Sequence, residues 1–544
     1  MVAESTRENE EPLFTIKNNV LIGVKRPIEY KYSCSAMLLY DSMKSNSNSI
    51  AQVDIVTGKE DTYGEMLDRA VKCALWLKKQ GVKKGDIVAV STHNHLDCFI
   101  PCLAAMFIGA IFNPWDYGMN TNLARHFLVL TEPKVIFANE QSAGVVLEAA
   151  KIETVDVQVV TFGEYSGTIP FAEILQGHDE SEVEGFRCLE IENLKDTAII
   201  LFSSGTTGLP KGVQLSHKAT QDLLENKNEF NLLMETPLWF SSLYWISGTL
   251  FNLKSISLGL KKYIPPEFEV QTAYEIIEKY KITWLMLSTS MSNRFIRYKG
   301  LQNYDLSSLK CLFVGGATLK KESQDLLTKN LPHTTVLQGY GMTELSGICA
   351  VQRPNATSGS CGTVCTNCEL KIIDVETGTN LGSNQHGEIC VKSPIVMNGY
   401  YKNPEATKEI IDNDGWLHTG DLGYYNEKGE LFIVDRLKEI IKFRGYQIAP
   451  TQIENLLQLH PSVLEVAVVS IPHPTDDEHP IAFVSTVPNN EVTAAELMMK
   501  VENNLMDPYK LRGGVKFLPS LPHTQSGKIS RKELKAMARS LSAR

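Results

Sequence analysis

Apolar residues recur along the chain in two rhythms. Leu67, Ala70, Val71, Ala74 and Leu75 fall at the three- and four-residue spacing of one helical face. Thr62 and Glu65 precede and open that run in the order of a capping box, and Gly81 stands where the helix would end. Asp86-Ile87-Val88-Ala89-Val90 then reads as a short apolar strand. A helix followed by a buried strand is the grammar of an α/β sheet, and similar alternation runs from Tyr274 to Val314. The longest apolar run, Phe99 to Phe112, is too short to span a bilayer and carries Pro101 and Gly109. It predicts a buried core helix.

The rhythm changes near residue 385. Gly387-Glu388-Ile389-Cys390-Val391 and Glu430-Leu431-Phe432-Ile433-Val434 read as short strands between turns. Past Asp435 a new unit begins. Thr451 and Glu454 predict a second capping box, and Ile453, Leu456 and Leu457 give its helix one apolar face. Leu464 to Ile471 and Ile481 to Val487 read as strands, which makes this unit a small α+β domain.

Composition narrows the class. The 544 residues are 43% hydrophobic and 21% charged, the balance of a globular protein. A net charge of −10, without interleaved basic and aromatic clusters, argues against a nucleic-acid surface. Met1 to Pro12 is polar and acid-rich and lacks the features of a signal peptide. The 11 cysteines, odd in number, are then expected to be free thiols in a reducing compartment. Cys361, Cys365 and Cys368 have a spacing that could hold an iron–sulfur cluster. They lead into the strand-like Leu370-Lys371-Ile372-Ile373-Asp374 and the turn Glu376-Thr377-Gly378, so structural thiols are the stronger reading.

The densest chemistry follows the apolar strand Ile199-Ile200-Leu201-Phe202. There the chain reads Ser203-Ser204-Gly205-Thr206-Thr207-Gly208-Leu209-Pro210-Lys211-Gly212. The glycines let backbone N–H groups converge on an anion, the hydroxyls can bond phosphate oxygens, and Lys211 adds charge. The glycine spacing, with Gly212 after Lys211, departs from a Walker A loop.

This loop resembles the signature of the adenylate-forming superfamily of acyl-CoA synthetases, coumarate–CoA ligases and firefly luciferase. Further segments resemble its motifs in the family's order from about residue 50 to 535. Gly315-Gly316-Ala317 resembles the adenine-side segment, and Gln338-Gly339-Tyr340-Gly341-Met342-Thr343-Glu344 the second nucleotide motif. Trp416-Leu417-His418-Thr419-Gly420-Asp421 resembles the ribose motif. Asp435-Arg436-Leu437-Lys438 resembles the interdomain hinge, followed by Gly445-Tyr446-Gln447-Ile448, and Ser526-Gly527-Lys528 the catalytic-lysine motif.

The resemblance implies a large N-terminal multi-sheet α/β domain over 1–434, a hinge at 435–438, and a small mobile C-terminal α+β domain over 439–544. It implies ATP, Mg²⁺ and coenzyme A as cofactor and cosubstrates. Glu344 with Thr206 would hold the metal, Asp421 the ribose hydroxyls, and Arg436 ribose or phosphate oxygens. Lys528 would contact carboxylate and α-phosphate, and Thr343 would join Arg436 and Lys528 in the adenylation machinery. After rotation of the small domain, Lys442 and Gly445 would face the site for thioester formation.

Two places depart from the family. Tyr244 and Trp245, in Phe240-Ser241-Ser242-Leu243-Tyr244-Trp245-Ile246-Ser247-Gly248, replace a histidine pair, and Gly347 stands where luciferase has a serine. An aromatic gate survives, whereas imidazole chemistry does not. Tyr244, Trp245, Gly248, Gly315 and Gly339 are expected to line a roomy, apolar acyl pocket. The expected activity is an acyl-CoA ligase for medium- or long-chain fatty acids, with an aromatic-acid CoA ligase as the alternative and a luciferase-like monooxygenase behind both. The expected form is a monomer or weak oligomer without a transmembrane segment. The family setting is peroxisomal or cytoplasmic, and Ser542-Ala543-Arg544 replaces the apolar end of a Ser-Lys-Leu peroxisomal address.

Overall fold

The computed structural model describes residues 13–203, 209–225, 234–298, 300–444, 446–487, 490–524 and 528–542. Its N-terminal part contains two α/β layers. In the first, the strands Ile87–Ser91, Ile111–Pro114, Val135–Ala138, Gln158–Thr161 and Thr197–Ser203 belong to one seven-stranded sheet. Neighbouring strands inside it run parallel, and Lys211–Ser216 adds an antiparallel edge. In the second, Pro237–Trp239, Trp284–Ser288, Cys311–Gly315 and Thr335–Met342 lie side by side and parallel. Strands buried on both faces need helices over them, and the sequence supplies these between successive strands.

The helix Tyr63–Lys79 has the expected capping box, made by Thr62 and Glu65. Met66, Cys73 and Leu77 join Ala70, Val71 and Ala74 on its buried face, while Leu67 and Leu75 are half-buried. The run from Phe99 to Phe112 is not one helix. Ile100–Phe107 is helical and Ile111–Pro114 is a strand, with Gly109 at φ +72° between them. The run stays apolar throughout because both elements are buried, so periodicity could not reveal the break.

A six-stranded antiparallel sheet includes Glu369–Ile373, Gly387–Lys392, Leu417–Tyr425 and Leu431–Arg436. The 3-10 turn Leu437–Glu439 leads from its last strand into a separate five-stranded sheet. In that small sheet Val466 and Val468 pack with Ile453, Leu457, Leu497 and Val501 on one face. Ala467 and Val469 pack with Leu534 and Ala538 on the other. Strand alternation thus places the helices Pro450–Gln458 and Ala494–Asn504 opposite the helix Arg531–Ser542.

The second predicted capping box does not form. Pro450 occupies the first helical turn with Ala449 as N-cap, so the helix starts before Thr451. The Thr451 hydroxyl donates to the Val434 carbonyl 2.6 Å away and lies 3.1 Å from Asp435 Oδ2. Glu454 accepts from the Val468 N–H and from Arg531, each at 2.7 Å. Thr451 therefore ties the small domain to the last strand of the large one, and Glu454 ties the small domain together, instead of capping the helix.

All 11 cysteines are free. Cys361, Cys365 and Cys368 do not gather into a metal-ligand set among the described residues. No helix there is long and apolar enough to cross a membrane.

Candidate active site

Three buried strands end at one place. Thr197–Ser203 delivers Ser203, Cys311–Gly315 delivers Gly315 and Gly316, and Thr335–Met342 delivers Thr343 and Glu344. The carboxyl ends of parallel strands are where open α/β sheets bind ligands. Ser203 pairs with Lys211 across the antiparallel edge, which closes the base of the hydroxyl-rich loop. Ser204, Gly205, Thr206, Thr207 and Gly208 lie outside the described residues.

Beside Ser203 and Lys211 stands Tyr400, which the motifs did not predict. Its hydroxyl donates to Glu344 Oε1 at 3.0 Å and also meets Ser203. Lys211 Nζ sits 4.7 Å over its ring. Burial, then the Glu344 charge, pushes the phenol pKa above its usual value, so it remains a donor to the carboxylate. The backbone explains its position: Tyr401 N–H bonds the Gly212 carbonyl at 2.7 Å, and Gln214 N–H bonds that of Gly399 at 3.1 Å. Gly399 has φ +130° and Lys402 φ +53°, the local signs of a special turn.

Gln338 is a clip and does not face the cleft. Its amide accepts from Leu319 N–H at 3.0 Å and donates to the Leu319 carbonyl at 3.1 Å. It fixes the turn that carries Gly315, Gly316 and Ala317, and Thr289 bonds the Ala317 carbonyl at 2.7 Å. Gly339 has no room for a side chain, because a Cβ would lie 2.9 Å from Phe313. A Cβ on Gly341 would run into the Gly347 backbone.

The ribose-like motif forms a compact polar unit. Asp421 is buried; it accepts from the Tyr340 hydroxyl at 2.6 Å through Oδ2 and meets Arg436 Nε at 3.0 Å through Oδ1. Asp421 and Arg436 face each other across neighbouring strands, so sheet register alone brings them together. Burial, then Asp421, raises the Tyr340 pKa well above its usual value.

Lys528 reaches this cleft from the small domain. Its carbonyl accepts from Thr524 N–H at 2.7 Å, and His523 bridges Ile529, so the described residues on either side of this segment are held together. Its Cε lies 3.8 Å from where a Gly316 Cβ would stand, and Gly316 has φ +87°. Lys528 is exposed over part of its surface, yet protein atoms crowd its ammonium. Desolvation and Arg436 pull its pKa down, while Asp421 and Glu344 oppose that shift. Ser526 and Gly527 lie outside the described residues.

The segment 435–438 is held on both sides. Asp435 is buried and accepts from Arg436 N–H at 2.8 Å and Thr451 N–H at 3.1 Å. Lys438 has its pKa lowered to about 8 by burial and then by Arg436. Arg297 donates to the Val463 carbonyl at 3.0 Å, joining the two domains. Lys442 is exposed on the small sheet, its N–H bonded to Glu478 at 3.0 Å, and is not among these groups. Gly445 lies outside the described residues.

The segment expected to line the acyl pocket is close-packed. Tyr244 is buried, stacked at 6.4 Å on Phe202 and edge-on at 4.9 Å to half-buried Trp245. A Cβ on Gly248 would strike the Ser242 carbonyl, so this glycine serves backbone packing and does not widen a pocket. Gly347 likewise has a backbone reason, with φ +151°. Gly315 has ordinary space around its Cβ position, 3.5 Å from Met286.

The family model for AMP-binding enzymes matches residues 39–401, and the model for the AMP-binding enzyme C-terminal domain matches residues 452–528. The chain belongs to the adenylate-forming AMP-binding enzymes. Among relatives in this family, 4-coumarate–CoA ligase 4 of Arabidopsis thaliana is 34% identical over 90% of this chain and 88% of its own. Luciferin 4-monooxygenase of Nipponoluciola cruciata is 32% identical over 94% and 96%. The structure of the luciferase-like enzyme from the nonluminescent mealworm Zophobas morio is 30% identical, with a TM-score of 0.72 over 77% of this chain and 99% of that one. ATP-bound MatB from Rhodopseudomonas palustris, 23% identical, shares the fold with a TM-score of 0.84 over 94% and 99%.

Proposed function

We propose that this AMP-binding enzyme joins a carboxylic acid to coenzyme A in two steps. The acid's carboxylate oxygen attacks the α-phosphorus of ATP, an acyl–O–P bond forms, and pyrophosphate leaves. The thiol sulfur of coenzyme A then attacks the acyl carbon, its proton passes to solvent, and AMP leaves with the electron pair of the broken acyl–oxygen bond. Both steps bring anions together, so positioning and charge neutralisation supply most of the rate. The carrying observation is Lys528 lying against Gly316, beside Asp421, Arg436 and Glu344.

In this reading Lys528 neutralises carboxylate and α-phosphate, and Asp421 accepts the ribose hydroxyls. Glu344, oriented by Tyr400, offers a hard oxygen to the Mg²⁺ that accompanies ATP. Turning about residues 435–438 then withdraws Lys528 and brings Lys442 to the site.

The acid is proposed to be a medium- or long-chain fatty acid. An aromatic acid of the coumarate type is the second reading, favoured by relatives named 4-coumarate–CoA ligases and by the close-packed Tyr244 and Trp245. Oxidation of luciferin is not expected. An indole N–H only donates and cannot take the proton that a histidine could.

A panel of fatty and hydroxycinnamic acids, each assayed for AMP release with and without coenzyme A, separates these readings. Coenzyme A-dependent AMP from at least one acid is expected, and luciferin with oxygen should give no appreciable light. Absence of thioester from every acid, or strong luminescence, would overturn the proposal.

A further inference from the structure

The strands Val463–His473 and Asp477–Thr486 form a hairpin whose turn is Pro474, Thr475 and Asp476. Ile471 pairs with His479 across it, so His473, two residues further on, lies on the same face as His479. The two imidazoles stack with centroids 3.9 Å apart and planes 19° from parallel. His473 Nδ1 lies 3.4 Å from Asp476 Oδ2, and His479 Nε2 lies 2.8 Å from the same oxygen. One ligand atom from each residue comes within 4.8 Å of the others.

The carboxylate is set for this arrangement. Its other oxygen, Oδ1, is held by Arg444 Nε at 2.6 Å, and its side chain is 9% exposed. An outer partner of this kind fixes the direction of a metal-binding carboxylate. Ligands about 2.0–2.2 Å from a tetrahedral ion stand roughly 3.3–3.6 Å from one another. The 3.4 Å between His473 and Asp476 matches this, while an ion would replace the 2.8 Å His479–Asp476 hydrogen bond and swing the stacked rings apart. Two imidazole nitrogens and one carboxylate oxygen suit zinc and its first-row neighbours better than calcium or magnesium.

We propose that His473, Asp476 and His479 form a binding site for a divalent ion of the zinc class, with a fourth position left for water. The ion ties the hairpin turn to the rest of the small sheet. Asp477, beside the site, pairs with Phe443, and Phe443 follows Lys442. The site is built from a turn and one sheet face of the small domain, and it does not depend on which acid the enzyme activates.

The test is a titration of the full-length protein with Co²⁺, read by visible absorption, followed by competition with Zn²⁺. The expected result is one saturable site giving the visible bands of nitrogen and oxygen ligation without thiolate charge transfer, with the Co²⁺ displaced by Zn²⁺. Replacing an outer partner typically weakens a metal site 10–100-fold, so loss of a ligand in His473→Ala or Asp476→Asn should weaken it roughly a hundredfold or more. Zinc should also raise the melting temperature of the wild type but not of His473→Ala, whose lost side chain is partly exposed. Equal affinity in wild type and His473→Ala, a thiolate band, or no saturable binding would overturn the proposal and leave these groups as a carboxylate shared by two imidazoles and an arginine.

Discussion

Arg436 Nε stands 3.0 Å from Asp421 Oδ1, and the two residues are register partners on neighbouring antiparallel strands. This pair lies next to a link into the small domain, because Asp435, beside Arg436, accepts from Thr451 N–H. Asp421→Asn keeps the shape but loses a charged acceptor. A hydrogen bond to a charged group contributes about 1.5–3 kcal/mol, so the KM for ATP should rise about 10- to 100-fold. Steady-state pyrophosphate release against ATP concentration checks this, and an unchanged KM would remove Asp421 from nucleotide binding.

Tyr400→Phe keeps the ring under Lys211 and removes the hydroxyl that reaches Glu344. Losing a partner of a buried carboxylate costs about 1–3 kcal/mol. The expected outcome is a roughly 5- to 100-fold higher Mg²⁺ or MgATP requirement with a nearly unchanged melting temperature. A Mg²⁺ titration of initial rates reads the first, and thermal unfolding reads the second.

Lys442 is exposed and away from the cleft that holds Lys528. Lys442→Ala should therefore leave adenylation close to wild type and slow thioester formation about tenfold or more, the usual scale for a lost charge contact. Supplying the preformed acyl-adenylate with coenzyme A isolates the second step. Collapse of adenylation with intact thioester formation would reverse the assignment.

The pKa of Lys528 is lowered by desolvation and by Arg436. The charged form is the one that neutralises phosphate, so kcat/KM for adenylation should be full below this pKa and fall as pH rises through it. The alkaline fall should begin below the range of an ordinary lysine. Lys528→Arg, whose guanidinium stays charged, should lose that fall even though its rate is lower. A pH profile of both proteins measures it.

Much of the candidate site could be read from the order of short motifs: Glu344 sits in a short turn after its strand, Arg436 at a strand end, and Asp421 in mid-strand as the register partner of Arg436. Lys528, Asp421, Arg436 and Glu344 gather as those motifs imply. What could not be read depends on side-chain direction or distant pairing. Gln338 lies inside a nucleotide-like motif, yet both ends of its amide are spent on Leu319. Tyr400 meets Glu344 from 56 positions away in the sequence, through backbone bonds to Gly212 and Gln214 that no local pattern announces. Thr451 and Glu454 had the spacing of a cap, but Pro450 started the helix earlier and freed them for tertiary bonds. Gly248 and Gly339 suggested space in the sequence, whereas a Cβ on the first would strike the Ser242 carbonyl and one on the second would crowd Phe313.

The most direct measurement is the rate of pyrophosphate release by Lys528→Ala, with an accepted acid and saturating ATP. Lys528 is exposed over part of its surface, so the variant should fold and melt like the wild type. Losing a charge used in the transition state should cost about 3–4 kcal/mol, a fall in rate on the order of a hundredfold to a thousandfold. Release at near wild-type rate by the folded variant would contradict the account.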